Sequence, residues 1–149
     1  MFIYGKTSAN AIAVMSYLAT DPTRRAGSAE IAKSRGISKA LTAKLLTQLA
    51  AAHLVRGQPG PGGGYMLGKS ASKISLLDIA CLFEQMESPS VCPFGNNWCG
   101  KGDPCPLHDT IAEMLSSNRR FMEKTSLAVF QKRTPKKFSK ATRDSCGRT

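Results

Sequence analysis

The apolar residues change period along the chain, and each period predicts an element. Over residues 8–20, Ile12, Met15 and Leu18/Ala19 recur at helical spacing and share one face. Asp21-Pro22 closes that helix, because the residue before a proline is pushed out of the α region. Ser28 is placed to cap a short helix over 29–35, Gly36 to supply the turn, and Ser38 to cap a second helix to about Ala52. On that second helix Leu45, Leu46 and Leu49 cluster on one side, with Leu41 at the margin. The pattern then becomes strand-like: Leu54-Val55-Arg56 and Tyr65-Met66-Leu67 flank a Gly/Pro run and predict a hairpin.

At Ser75-Leu76-Leu77-Asp78 a capping-box pattern opens a helix to about Met86. Its buried stripe is Leu76, Ile79, Ala80 and Phe83, with Cys81 expected to pack in the core beside them. Pro106 suits the first position of a long helix. From there Leu107, Ile111, Met114, Asn118, Phe121, Thr125 and Ala128 follow a 4-3 repeat, with Asn118 as the polar member able to fix register. Thr125-Ser126 is the place for a break. Beyond Lys132 the chain is polar and aperiodic, and disorder is expected there.

Together these elements predict a mainly α chain with a small β-hairpin: a winged helix-turn-helix plus a long dimerisation helix. Residues 1–72 would form the DNA-binding domain. Residues 73–131 would hold a helix, a cysteine loop (92–108) and the dimerisation helix, and 132–149 a basic tail. Two short helices would also fit a generic helical hairpin; the following β-hairpin makes them a winged helix. The 4-3 seam could pack on the chain's own domain, but its length favours a second copy, paired through Leu107, Ile111, Met114, Asn118 and Phe121.

Charge sharpens the picture. The formal net charge of +11 over 149 residues is unevenly spread. Residues 1–74 carry ten basic against two acidic residues, net +8; residues 75–131 four against seven, net −3; residues 132–149 seven against one, net +6. A basic N-terminal half and tail form the footprint of a polyanion binder, here double-stranded DNA. No apolar run approaches the ~20 residues of a membrane span, and the N-terminus has no signal-peptide pattern, so a cytoplasmic protein is expected. Its five cysteines then point to metal, redox sensing or packing rather than a disulfide framework.

The second helix turns Ala40, Ala43, Lys44 and Thr47 outward, with Ser38 and Lys39 at its start. That face is small and basic, as suits a helix entering a major groove, but it has no Arg, Asn or Gln aimed straight outward. Lys39 and Lys44 are therefore expected on phosphates. In the hairpin, Arg56, Gly62, Gly63 and Tyr65 are the DNA-facing candidates. Gly63-x4-Gly68-Lys69-Ser70 formally matches a phosphate-binding P-loop. That motif needs a buried strand before its first glycine and a helix opening at its lysine, and here a Pro/Gly run precedes it.

Cys92-x6-Cys99-x5-Cys105-x2-His108 is the remaining constellation, in a stretch with three glycines and three prolines. Such a stretch has little with which to build a core, and three thiolates plus an imidazole are enough to hold a metal or a small cluster. Zinc sites usually contain a short Cys-x2-4-Cys pair, which is absent, and thiols acting without a metal fit as well. No further catalytic constellation stands beside the loop, so a regulator that is not an enzyme is expected over a redox protein built on a winged helix.

GISKALTAKLL, PGPGGGYMLGKSASKISLLDI and the three-cysteine loop, taken together, closely resemble the Rrf-two family of bacterial winged-helix regulators, over about residues 1–131. The resemblance implies a homodimer on a two-fold operator, acting as a repressor that senses iron, redox state or nitric oxide through an iron–sulfur cluster, [2Fe–2S] ahead of [4Fe–4S]. It assigns Cys92, Cys99 and Cys105 as cluster ligands and His108 as the fourth, as in the branch typified by IscR. The first gap is six residues where that branch has five. That branch has a glutamate where this chain has Ala43 and an arginine where it has Pro59, which implies a different operator. Other branches complete the cluster with an acidic residue near the partner's N-terminus; here no Asp or Glu precedes Asp21, and Ser8 and Asn10 occupy the region.

Overall fold

The computed structural model describes residues 5–84 and 103–131. Cys92, Cys99 and the 132–149 tail lie outside the described residues. Helix α1 (Lys6–Thr20) buries Ala11, Val14, Met15, Leu18 and Ala19, with Ile12 partly buried. It is packed by α2 (Ser28–Arg35) and α3 (Lys39–Ala51), and then by the hairpin β1 (Val55–Gln58) and β2 (Gly64–Leu67). This is the expected class: mainly helical, with one two-stranded antiparallel sheet. Gly36 adopts φ 65°, the left-handed conformation that closes α2, and Ser38 accepts a hydrogen bond from the Leu41 amide at 3.3 Å. Ser28 does not cap α2; Gly27 holds that position, and Ser28 is the first helical residue.

The hairpin pairs Val55 with Leu67 and Gln58 with Gly64. Gly63 is required by the hairpin's own backbone, since a Cβ there would lie 2.2 Å from the Gln58 carbonyl oxygen. A third strand position, unforeseen in the sequence, joins the sheet: the Ala26 and Tyr65 backbones exchange hydrogen bonds of 2.9 and 2.8 Å. Because strand β2 occupies the middle of the formal P-loop match and its backbone is spent on pairing, that match cannot cradle a phosphate.

Helix α4 (Leu76–Ala80) opens with the expected capping box between Ser75 and Asp78. It ends six residues before Met86, and the chain turns there, so Cys81 is exposed rather than packed in the core. Helix α5 (His108–Lys124) starts later than Pro106, which lies in the turn before it. Its break at Thr125 is as expected, and a 3-10 turn follows at Leu127–Phe130. Met122 is the only buried residue of α5 and, with Leu127, joins the core built by α1, α3, the hairpin and α4. Leu76 donates to the Thr125 carbonyl and Leu127 to that of Ile74, each at 2.9 Å, so the C-terminal end of α5 is pinned to the winged helix.

Candidate nucleic-acid interface and metal centre

Helix α3 rests on its leucines: Leu45, Leu46 and Leu49 are fully buried, and Leu41 packs at the edge. Ser38, Lys39, Ala40, Ala43, Lys44 and Thr47 are all exposed, on the side turned away from that core. The first turn contains no acidic residue and the last no basic one. Lys39 at the positive end of a helix is unfavourable by roughly 0.3–1 kcal/mol unless an anion comes to it. The Thr47 hydroxyl donates to the Ala43 carbonyl at 2.9 Å, leaving its oxygen as an acceptor. Gln48, also exposed and one turn beyond Lys44, is a polar group that the sequence reading passed over; its signal was its i+4 spacing from Lys44.

The α3 chain turns at His53, in the left-handed region at φ 58°, and enters β1. Arg56 is exposed on β1, opposite Met66. Gly62 sits at the exposed tip with φ 72°, and Gly63 is half-buried. The Tyr65 ring lies across Gly57, where an added Cβ would meet it at 3.1 Å, and its backbone holds Ala26. Tyr65 therefore braces the hairpin. The hairpin and the helix-turn-helix are joined through Ala26, which fixes the hairpin beside α3.

A polar trio sets the position of α2 relative to α1. The Tyr17 hydroxyl and the Arg24 guanidinium both donate to the Glu30 carboxylate at 2.6 Å, and Arg35 stacks over the Tyr17 ring at 5.4 Å. The Tyr17 hydrogen bond, with Arg24 beside it, holds the Glu30 carboxyl below the ordinary carboxylate range; the same bond pushes the Tyr17 hydroxyl up.

At the entry to α5, Cys105 and His108 are both half-buried. The His108 amide donates to the Cys105 carbonyl at 3.0 Å, so a single backbone turn joins these two candidate ligands. Among the described residues no group of three or more His, Cys, Asp or Glu gathers as for a metal; Cys92 and Cys99 lie outside them. Ser8 is fully buried and its hydroxyl donates to the Glu84 carboxylate at 2.6 Å; the Gly5 amide donates to the same oxygen. The hydroxyl near the N-terminus is thus engaged within its own chain. Of the seam, Leu107, Met114 and Phe121 are exposed, while Ile111 and Asn118 are half-buried. Asn118 donates to the Met122 sulfur at 3.6 Å.

The trihelical core, the hairpin beside α3 and the outward basic face define a winged-helix protein of the kind that regulates transcription. Residues 4–133 match the Rrf2 family, described as an iron-dependent transcriptional regulator, and the chain belongs to that family. The HTH-type transcriptional regulator IscR of Escherichia coli is 33% identical over 99 residues, covering 66% of this chain and 60% of that protein. The chain thus spans about three-fifths of the length of its IscR relatives. An HTH-type transcriptional regulator of Aquifex aeolicus is 29% identical over 127 residues, 84% of this chain and 88% of its own. Among solved structures, T. potens IscR superposes with a TM-score of 0.66 at 22% identity, over 83% of this chain and 82% of that one. CymR, the global cysteine regulator of B. subtilis, superposes with a TM-score of 0.72 at 20% identity, over 89% of this chain and all of that one. Both share the fold. Among the described residues no helix is long and apolar enough to cross a membrane.

Proposed function

We propose that this chain is a homodimeric DNA-binding repressor whose cysteine–histidine site holds an iron–sulfur cluster and so senses iron, redox state or nitric oxide. The observation that carries DNA binding is the outward face of α3. A helix with no acid in its first turn presents Ser38, Lys39, Ala40, Ala43, Lys44 and Thr47 to solvent beside a hairpin bearing Arg56. Backbone amides at the start of α3 add to the field of Lys39, which suits a phosphate there. The small side chains of Ala40 and Ala43 let the helix backbone approach base edges closely.

Cys92, Cys99, Cys105 and His108 would hold the cluster, which would supply a charge and a set of bonds that change with redox state or with loss of iron. Cys105 and His108 stand at the start of a helix whose other end is anchored in the DNA-binding core by Met122. A change of bonding at that start therefore alters the angle at which α5 leaves the winged helix. In a dimer, the same change alters the spacing of the two α3 helices. A coupling of roughly 1–3 kcal/mol corresponds to an affinity change of ~5–150-fold.

Mobility-shift titration on the DNA upstream of the chain's own coding region tests the interface. Lys39→Ala, Lys44→Ala and Arg56→Ala should each weaken binding and lower the slope of log affinity against log salt by about one. Unchanged slopes in all three would overturn the assignment. Anaerobic isolation with an iron and sulfide count tests the cofactor: brown protein with both is expected. Stoichiometric zinc without sulfide, or thiols with no metal, would replace the cluster by those chemistries.

A further inference from the structure

We propose that Arg25 and Arg56 together seat the phosphate backbone of duplex DNA across the outer face of the sheet. Arg25 then becomes a DNA contact outside both α3 and the hairpin. This rests on the DNA-binding reading above and adds to it the strand position at Ala26. The register places the two arginines in one row. Val55 pairs with Leu67 and both are buried, so the next pair, Arg56 and Met66, turns to the opposite face of the pleat. Ala26 pairs antiparallel with Tyr65 and is buried. Arg25, one residue earlier, therefore falls opposite Met66 and turns to that same outer face. Arg56, Met66 and Arg25 stand side by side on three neighbouring chain segments, and both arginines are exposed. Two strand spacings put their Cα atoms about 10 Å apart, which spans roughly three phosphates of one DNA strand.

The backbone at Arg25 is held on both sides while its guanidinium is not. Arg24 before it is fixed to Glu30 at 2.6 Å, and Ala26 after it exchanges backbone hydrogen bonds with Tyr65. Among the described residues neither Arg25 nor Arg56 forms an ion pair. The adjacent arginines thus differ in role: Arg24 holds α2 in place, and Arg25 is left for a ligand. A cation presented from a fixed backbone has less freedom to lose on binding.

The ligand that such a row takes is an anion. No Asp or Glu occurs between Glu30 and Asp78, a stretch that holds seven Lys/Arg. Glu30 itself is occupied by Tyr17 and Arg24. Two guanidiniums with no acid between them suit a ligand whose negative charge repeats along its length. The duplex assigned above to α3 and Arg56 supplies such a repeat. Contacts to its phosphates fix the register of the protein on the duplex without reading base sequence. Arg25 is therefore a positioning contact, and its contribution is the same on any sequence.

The test measures affinity against salt concentration by mobility shift, with the full chain on the upstream DNA and on an unrelated duplex. Arg25→Ala should lower the slope of log affinity against log salt by about one per protomer on both duplexes, and the double variant with Arg56→Ala by about two. Arg25→Lys keeps the charge and should keep the wild-type slope. Lys6→Ala removes an exposed charge at the other end of α1, about 21 Å of helix away, and should leave the slope unchanged. If Arg25→Ala keeps the wild-type slope while Lys39→Ala lowers it, the proposal is overturned and the interface on α3 stands. If neither variant lowers it, both readings fall. Weaker binding by Arg25→Ala with an unchanged slope would mark a purely structural role and overturn the contact. Equal losses of slope in Arg25→Ala and Lys6→Ala would also overturn it, because net charge alone would then account for the effect.

Discussion

Glu30 illustrates how single residues fix the geometry of the reading head. Its carboxylate receives Tyr17 from α1 and Arg24 from the connecting turn, which ties α2 to both. These bonds hold its folded-state pKa below the ordinary glutamate value, with the Tyr17 hydroxyl as the largest cause. A carboxylate depressed in this way contributes stability above its unfolded pKa, and the contribution is lost as pH falls through the lower folded value. Glu30→Gln keeps the shape and removes the titration. The variant should melt below the wild type at pH 7, and the gap should shrink as pH falls below the ordinary glutamate range. Asp21, lowered by hydrogen bonds from the Thr23 side chain and amide, titrates alike in both proteins and cancels from the comparison. A constant gap in melting temperature across that range, followed by circular dichroism, would show that the trio contributes nothing through its charge. Neither this trio nor the bond between Ser8 and Glu84 was legible in the sequence. The partners are separated by 6 to 76 positions and are brought together only by turns that periodicity does not specify.

At the scale of elements, the periodic parts were legible and the ends were not. The leucine stripe of α3 and the hairpin pairing follow from side-chain periods of 3.6 and 2, which packing enforces along the whole element. Ends depend on one or two local bonds. Ala80 ends α4 before its apolar run does, which is why Cys81 reaches solvent, and the bond from His108 to the Cys105 carbonyl puts Pro106 outside α5. The seam on α5 was legible as a 4-3 repeat, but the repeat does not say which of two adjacent residues turns inward. Met122 does so, at 0% exposure, while Phe121 is 58% exposed. This contrast yields a prediction. Phe121→Asp should leave folding stability within roughly 0.5 kcal/mol, as for other exposed changes, yet give monomers in sedimentation that bind DNA weakly. Met122→Asp should instead unfold the chain, since it buries a charge without a partner. An unchanged dimer mass for Phe121→Asp would show that α5 does not carry the interface.

For the molecule as a whole, the proposed donor site at one end of α5 would have to bias the proposed DNA-reading face of α3. The described residues give a continuous mechanical route. Cys105 and His108 stand at the start of α5, Met122 anchors the other end, and the backbone bonds of Thr125 and Leu127 hold that end to Leu76 and Ile74 at the start of α4. Helix α4 and the 3-10 turn at Leu127–Phe130 pack on α1, which carries Tyr17 and through it α2. Rotation of α5 thus moves through buried contacts rather than across a hinge, and packed interiors transmit such strain. Removing one donor should loosen the site without unfolding this route, because His108 contributes little to the core. In His108→Ala the melting temperature and dimer mass should stay within a degree or two and within error of the wild type. Iron should be lost to a chelator at least several-fold faster, and the affinity for operator DNA should move toward that of the metal-free protein. His108→Cys should retain iron with an altered visible spectrum, since thiolate replaces imidazole. If His108→Ala keeps both the wild-type spectrum and the wild-type rate of iron loss, the imidazole is a bystander in the first turn of α5. The fourth position would then be filled by a group other than His108.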